Sequence, residues 1–334
     1  MNRAKRAAIV MAVIGVLILI ALIFSLNSGQ VRLSPSDVWQ TLIGRGTAGE
    51  ALILFDFRLP RIVISLLVGA GFAVSGCILQ GTTRNALAEP GILGINAGAG
   101  LAVILYISFY PVQTVAPVYL LPAIALIGAG LTAAAIYLLA YQKQGDVSPS
   151  RLLIVGIAVA AGISAAMLVL TIRLDPAQYQ FVSIWLAGSI WGSNWKFVTA
   201  LLPWIVILIP AAFMKARVLN MFALGDLQAT GLGTRVRKER IGLLAMAVGL
   251  AGACVAVGGG IAFVGLIGPH LARRLVGPQH QHALPASALI GALLLIVADT
   301  IARIALKSGE IPTGVVVAVI GAPYFLFLLA RAKN

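Results

Sequence analysis

The amino-acid sequence predicts an all-α polytopic membrane protein of about ten transmembrane helices, and composition, hydropathy and the length of its apolar runs each support that class. Of the 334 residues, 60% are hydrophobic and 10% are charged, and the mean hydropathy is +1.02. An average soluble domain has about 25% charged residues and roughly half apolar ones. A soluble protein of this length could not cover its surface with so few polar side chains, and a disordered chain would need low hydrophobicity.

Ten apolar runs are candidates to cross a bilayer, which takes about 20 residues as a helix, with a range of roughly 17 to 25. One short run, 261–276, contains Gly268, Pro269 and His270, which makes it the least regular of the ten. Another apolar stretch, 178–191, is interrupted by polar side chains and is interpreted as interfacial. The predicted spans are 7–26, 62–79, 92–109, 118–141, 152–172, 197–214, 241–257, 261–276, 284–302 and 314–329.

The basic residues indicate the orientation of the chain. Ten spans place both termini on one side, and with that side inside, roughly two-thirds of the 24 Lys and Arg fall in cytoplasmic segments. Both termini are therefore predicted to be cytoplasmic, and the net charge of +14 reflects this bias rather than a nucleic-acid partner. The first span follows Arg3, Lys5 and Arg6, and its apolar stretch is longer than a typical signal-peptide core, so we expect it to be retained.

The first external segment, 27–60, is long enough to hold structure of its own. Within Leu33-Ser-Pro-Ser-Asp37, Ser36 or Asp37 could cap a short helix. Arg58 and Arg61 stand where the chain re-enters the bilayer. They would either extend to the lipid headgroups or form a docking surface for an acidic partner.

The loop 83–91 and the long loop 215–240 are the two structured connections predicted on the inner side. The first leads into Gly94-x-x-x-Gly98, a pattern suited to close helix packing, although a tight turn alone would explain its Asn, Pro and Gly. In the second, Asp226 is a candidate N-cap, and Gly231 or Gly233 a candidate helix stop. A short helix outside the membrane is expected there, and such a helix suggests a docked protein partner.

The remaining polar residues do not form a catalytic or metal site. Asp299 and Arg303 are i, i+4 neighbours on one predicted span, and we interpret them as a structural pair rather than a proton-coupling acid and its neighbour. His280 and His282 lack a nearby Cys or carboxylate, and we expect them in a solvated loop. The cysteines, at positions 77 and 254, lie in apolar runs and predict neither a disulfide nor a metal site.

Several long motifs then occur in a fixed order along almost the whole chain, and together they resemble the permease subunits of ABC importers for iron–siderophore complexes, the family that also includes the vitamin B12 permease. The stretch from Trp185 to Trp191 is most similar to the siderophore members from Gram-positive bacteria. The motifs are Arg58-Leu-Pro-Arg61, Gln80-Gly-x-x-Arg-Asn-x-Leu-Ala-x-Pro-Gly-Ile-Leu-Gly94, Leu224-Gly-Asp226, Gly260-Ile-Ala-Phe-Val-Gly-Leu-Ile-Gly-Pro-His-Leu-Ala-Arg-Arg274, Ala298-Asp-x-x-Ala-Arg303, Glu310-Ile-Pro-Thr-Gly314 and Gly321-Ala-Pro-Tyr-Phe325.

The resemblance implies one transmembrane permease domain over residues 1–334, multi-pass in the cytoplasmic membrane, with a ferric siderophore as substrate. It also implies a second permease subunit (identical or a sister chain), two ATPase subunits and an external substrate-binding protein. The sequence has no G-x-x-x-x-G-K-[ST] phosphate loop, so no cofactor is expected on this chain and ATP is used by the partner subunit. The alternatives are a permease for haem or vitamin B12, and an ion-coupled secondary transporter.

The resemblance also assigns roles to individual residues. Asn85, Leu87, Val147 and Ser148 would form a cytoplasmic gate, although Ala86 replaces the proline that usually follows the asparagine. Arg58, Arg61 and Arg303 would dock the binding protein. The coupling helix that contacts the ATPase would comprise Leu224, Gly225, Asp226, Leu227, Gly231, Leu232 and Gly233.

Overall fold

The computed structural model describes residues 3–29, 31, 33–91, 93–109, 120–141, 148–190, 192–306 and 309–332, and over these residues the fold is all-α. The elements are α1 (Arg3–Asn27), α2 (Pro35–Leu42), α3 (Ala48–Ala51), a π-helical segment (Leu52–Arg58), α4 (Leu59–Thr83), α5 (Ile95–Phe109), α6 (Leu120–Ala140), α7 (Pro149–Thr171), α8 (Pro176–Leu186), α9 (Trp195–Met214), α10 (Ala216–Ala223), α11 (Asp226–Gly231), α12 (Val236–Gly258), α13 (Val264–Val276), α14 (His280–Ile304) and α15 (Thr313–Ala332).

Within the described ranges, seven helical segments are long and apolar enough to cross a membrane. Six of them are the helices α1, α6, α7, α9, α12 and α14, and the seventh is the continuous segment Ala48–Thr83, which runs from α3 to the end of α4. The stretches Ile95–Phe109 (α5) and Thr313–Phe327 (within α15) are apolar but shorter. The predicted span 261–276 contains only the 13-residue helix α13, which is about 20 Å long against a hydrocarbon core of about 30 Å. The total of ten spans and the side of the termini stay predictions.

The capped helix predicted in the first external segment is present, but its cap is a different residue. Ser34 precedes Pro35, the first residue of α2, and its hydroxyl accepts the Asp37 N–H at 3.2 Å. The Asp37 carboxylate in turn accepts a hydrogen bond from the Ser34 N–H at 2.8 Å. The prediction of Ser36 or Asp37 as the cap was wrong because proline favours the first helical position, which makes the preceding residue the cap.

Helix α4 is the centre of the molecule and packs against α12, α13 and α14 through small residues. A Cβ on Gly76 would collide with the carbonyl of Gly265 in α13, and one on Gly69 with the carbonyl of Gly291 in α14. Such close approach suits a bilayer, where packing contacts rather than water exclusion hold helices together. By contrast, α1 and α7 are mostly exposed, and their apolar side chains face outward.

Helix α8 and the residues just after it contact the α12–α13 break and the start of α15. Helix α8 has 11 residues, too few to span, which agrees with the interfacial interpretation of 178–190; Trp191 lies outside the described residues. The last turn of α8 contacts the break between α12 and α13, where Gly260 N–H donates to Trp185 O at 3.3 Å. The chain after α8 contacts the start of α15, where Gly314 N–H donates to Gly188 O at 2.8 Å.

Candidate functional site

We call the end of the molecule that carries α10 and α11 the inner end, and the end that carries α2 and α3 the outer end. The inner end presents a turn, a short helix and a second turn, as the sequence predicts. Gly225 and Gly233 have φ of +107° and +83°, left-handed values that glycine adopts without strain, and α11 lies between them. The side chains of Leu224, Leu227 and Leu232 are all exposed, and Leu227 reaches 87%.

Asp226 starts α11 but does not cap it, which corrects the predicted N-cap role. Its carboxylate instead accepts bonds from Arg240 Nη2 at 2.8 Å, and Arg84 Nη2 lies 3.6 Å away. Arg240 is nearly fully buried against the ring of Phe222, so it needs a counter-charge, and that need draws the carboxylate away from the helix backbone. Neither Arg84 nor Arg240 adjoins Asp226 in sequence, and no local pattern identifies them as its partners.

The loop that follows Arg84 carries two of the predicted gate residues. Arg84 ends α4 in a left-handed conformation, with φ of +52°. Asn85 Oδ1 then accepts the Leu87 N–H at 2.9 Å, which closes a tight turn, and Leu87 packs against the buried cluster of Leu266 and Ile267 in α13. The Arg84–Asp226 pair therefore joins α11 directly to the segment that holds Asn85 and Leu87.

The other predicted gate residues follow α6. Ser148 is exposed at the N-cap position of α7 and makes no side-chain capping bond. Val147 lies outside the described residues. A shared gate of all four residues therefore stays a prediction, with Asn85 and Leu87 close together in one turn.

Glu89, in the same loop as Leu87, is a buried carboxyl group that no sequence pattern singles out. It is 8% exposed, and its Oε2 accepts the Phe263 N–H at 3.0 Å. Phe263 lies at the break before α13 with φ of +67°, a strained value for a bulky residue. Burial raises the pKa of Glu89 to about 7. The bond ties the loop 83–91, which we call the gate loop after the role predicted for Asn85 and Leu87, to the α12–α13 break.

At the outer end, the structure brings together the three arginines predicted to dock a partner, but it buries them. Arg58, Arg61 and Arg303 are 5%, 8% and 5% exposed. Arg58 donates to the carbonyls of Leu26 and Val31, which fixes the end of α1 against the start of α4. These guanidinium groups already have partners inside the chain. The docking role stays a prediction.

Asp299 is the centre of this outer cluster. Arg61 Nε donates to its Oδ1 at 2.9 Å, and Arg303 Nε lies 3.2 Å from its Oδ2, which confirms the predicted i, i+4 pair. Arg61 Nη1 also donates to Glu310 at 2.7 Å, and Thr313 donates to Asp299 at 3.2 Å. The cluster, which we call the outer charge cluster, therefore joins α1, α4, α14 and the start of α15.

Over the described ranges, no group of three or more His, Cys, Asp or Glu side chains is arranged to hold a metal ion. His280 is buried rather than solvated as expected, because its Nδ1 lies 2.8 Å from Asn220 Oδ1 and its own N–H donates to the same atom.

Comparison with known proteins agrees with this architecture. The iron(3+)-hydroxamate import system permease protein FhuG of Bacillus subtilis (strain 168) is 51% identical over 99% of both chains. The Fe(3+)-citrate import system permease protein YfmE of the same organism is 42% identical over 98% of this chain and 96% of its own. A solved structure of a metal-chelate type ABC transporter in an inward-facing conformation matches with a TM-score of 0.84 at 30% identity, over 96% of this chain and 98% of that chain.

The family match also covers nearly the whole chain. A model of the FecCD transport family matches residues 17–331. Relatives of this kind are integral proteins of the cytoplasmic membrane, and their importers hydrolyse ATP in a separate subunit. The chain is therefore a membrane permease subunit of the FecCD transport family.

Proposed function

We propose that this chain forms half of the translocation pathway of an ATP-driven importer for iron–siderophore complexes. The observation that carries the proposal is the Arg84–Asp226 ion pair, which connects an exposed leucine-bearing helix to a loop at the inner end of the bundle. In an importer driven by a separate ATPase, a movement of that helix must reach the pathway. The ion pair offers a direct route for it.

The exposed leucines define where the ATPase would bind. Leu224, Leu227 and Leu232 lie on a rigid helix-and-turn unit beyond the membrane-spanning helices, so they face water unless a partner covers them. Three large apolar side chains at one protruding point are typical of an interface anchor. We assign α11 as the coupling helix, seated in a groove of a cytoplasmic ATPase, with both chain termini on that same side.

The assembly proposed around this chain has two permease subunits, two ATPase subunits and an external binding protein. ATP is used by the ATPase subunits, and this chain binds no cofactor of its own. The outer charge cluster would form the rim on which the binding protein docks. Since Arg58, Arg61 and Arg303 are held by internal partners, they would act mainly by shaping the rim and contributing positive potential, which affects association rate more than affinity.

The substrate is proposed to be a ferric hydroxamate, because the relative named for that import system shares half of its residues with this chain. Ferric citrate is the second candidate, supported by the 42% identical relative. An ion-coupled secondary transporter is disfavoured by Asp299, the buried acid such a mechanism would use, since Arg61 and Arg303 already contact both of its carboxylate oxygens.

Transport by the reconstituted complex tests the proposal. The chain, its partner permease and the ATPase would be placed in proteoliposomes with the loaded binding protein outside and nucleotide inside. Uptake of radiolabelled iron from a ferric hydroxamate should require ATP and should persist when ionophores collapse the ion gradients. Uptake driven by a proton or sodium gradient without ATP would overturn it, and a preference for ferric citrate would replace the proposed substrate only.

A further inference from the structure

Two helix ends from distant parts of the sequence bring four basic residues to the inner end of the molecule, and we propose that these residues bind the phosphate group of an anionic phospholipid. The four residues are Arg3, Lys5 and Arg6 at the start of α1, and Arg274 in the last turn of α13. We call them the inner basic patch. The inference does not depend on which substrate the chain transports.

Apolar packing places the two helix ends side by side. Ala7 and Ile14 of α1 form a small core with Ala272 and Val276 of α13 and with residues of α14. This core fixes the register of α1 against α13, and Arg6 Nη2 donates to the backbone carbonyl of Arg274 at 3.4 Å. The charges of the patch are therefore gathered by the fold rather than by neighbouring positions in the sequence.

No carboxylate of the described chain neutralises the patch. On the inner side, Asp226 pairs with Arg84 and Arg240, Glu239 pairs with Lys215, and Glu89 binds a backbone N–H. The four side chains of the patch are all exposed, and none forms an ion pair with a described residue. Arg273, the residue before Arg274, donates to Gln80 in α4 instead.

The surroundings of the patch favour a lipid over a soluble anion. The outward face of α1 is apolar along its length, with Ile9, Val13 and Val16 each more than half exposed, so this face contacts acyl chains. The basic side chains begin where that face ends, which is the depth of the phospholipid headgroups. Basic groups at the cytoplasmic side of transmembrane helices bind anionic headgroups, and each basic residue contributes about fivefold in affinity.

The test measures lipid retained by the purified complex, using native mass spectrometry with phosphatidylglycerol and phosphatidylcholine as probes. The wild-type protein should retain phosphatidylglycerol in preference to phosphatidylcholine. The double variant Arg6→Gln, Arg274→Gln should weaken that binding by about 25-fold, from two charges at about fivefold each. The variant Arg6→Lys, Arg274→Lys should keep most of it, because the charge is retained while the guanidinium geometry is lost.

A matched control removes two exposed arginines at other sites, Arg45→Gln with Arg173→Gln. This control should leave phosphatidylglycerol binding unchanged. An equal loss of binding in the control would show that the effect depends only on net charge, and it would overturn the site. Equal retention of both lipids by the wild type would also overturn it. If inorganic phosphate displaces the lipid at millimolar concentration, the patch is a site for soluble phosphate, and the assignment to the bilayer fails.

Discussion

The outer and inner ends of this permease use charge in opposite ways. At the outer end, Arg61 and Arg303 are buried around Asp299. At the inner end, the Arg84–Asp226 pair is substantially exposed on both sides and stands beside glycine turns and exposed leucines. A buried pair is costly to break, by about 3–5 kcal/mol, whereas an exposed pair contributes about 0–1 kcal/mol. The outer end is therefore expected to be fixed, and we propose that the inner end docks a partner and moves.

The largest effect is expected from Asp299→Asn, which removes the central counter-charge of the outer cluster. Arg61 and Arg303 would then be buried with less compensation, and we expect a loss of stability of about 3–5 kcal/mol. The denaturation midpoint of the purified protein in detergent measures it. Asp56→Asn, at an exposed position of the outer end, is the matched control, and equal midpoints for the two variants would show that the cluster is not a fixed element.

The next largest effect is expected on binding of the ATPase, with no change in the stability of the chain. Leu227→Asp places a charge on the exposed tip of α11, so the denaturation midpoint of the chain should not change, while binding of the ATPase should weaken at least tenfold. Co-purification and ATP hydrolysis stimulated by the loaded binding protein give the readout. Leu42→Asp, an exposed leucine at the outer end, is the control. Normal ATPase binding by the Leu227 variant would remove α11 from the interface.

Glu89 should give stability a pH dependence. Its pKa is raised to about 7 from 4.5, so the unfolded chain ionises first and the folded protein loses stability as pH rises through that interval. Glu89→Gln keeps an oxygen that can accept the Phe263 N–H and removes the ionisation. The variant should match the wild type at pH 4 and have the higher denaturation midpoint at pH 8. A constant difference at both pH values would refute the assignment.

Only a small effect on stability is expected from Arg84→Gln, because its ion pair is exposed and Arg240 still neutralises Asp226. We expect a change of less than about 1 kcal/mol. Transport should nevertheless fall relative to ATP hydrolysis, because the connection between α11 and the gate loop is lost. Arg151→Gln, an exposed inner-side arginine at the start of α7, serves as the control for charge, and its ratio of iron transported to ATP hydrolysed should stay normal.

Local sequence patterns predict local structure in this protein, but they do not predict contacts between distant segments. The i, i+4 spacing of Asp299 and Arg303 predicts their pair, and the glycines of the long inner loop predict α11. Nothing in the sequence around Arg61 identifies Asp299 as its partner, because the two are 238 positions apart and meet only through helix packing. The same holds for Arg84 and Asp226.

Hydropathy also overstates the length of the helix it detects in 261–276. The run is continuous in composition, but Gly259 and Phe263 adopt left-handed φ values, so α13 starts only at Val264. Glu89 lies at this break and supplies the acceptor for the Phe263 N–H. A hydropathy window averages side chains and carries no information on such backbone breaks.

The exposed inner ion pair is proposed to transmit movement between α11 and the gate loop. A double-mutant cycle with Arg84→Gln, Asp226→Asn and both changes together tests it most directly, read as iron transported per ATP hydrolysed in proteoliposomes. The account predicts strong non-additivity, with the double variant no worse than Asp226→Asn alone. Losses that add in the double variant would contradict it, because the two residues would then act independently.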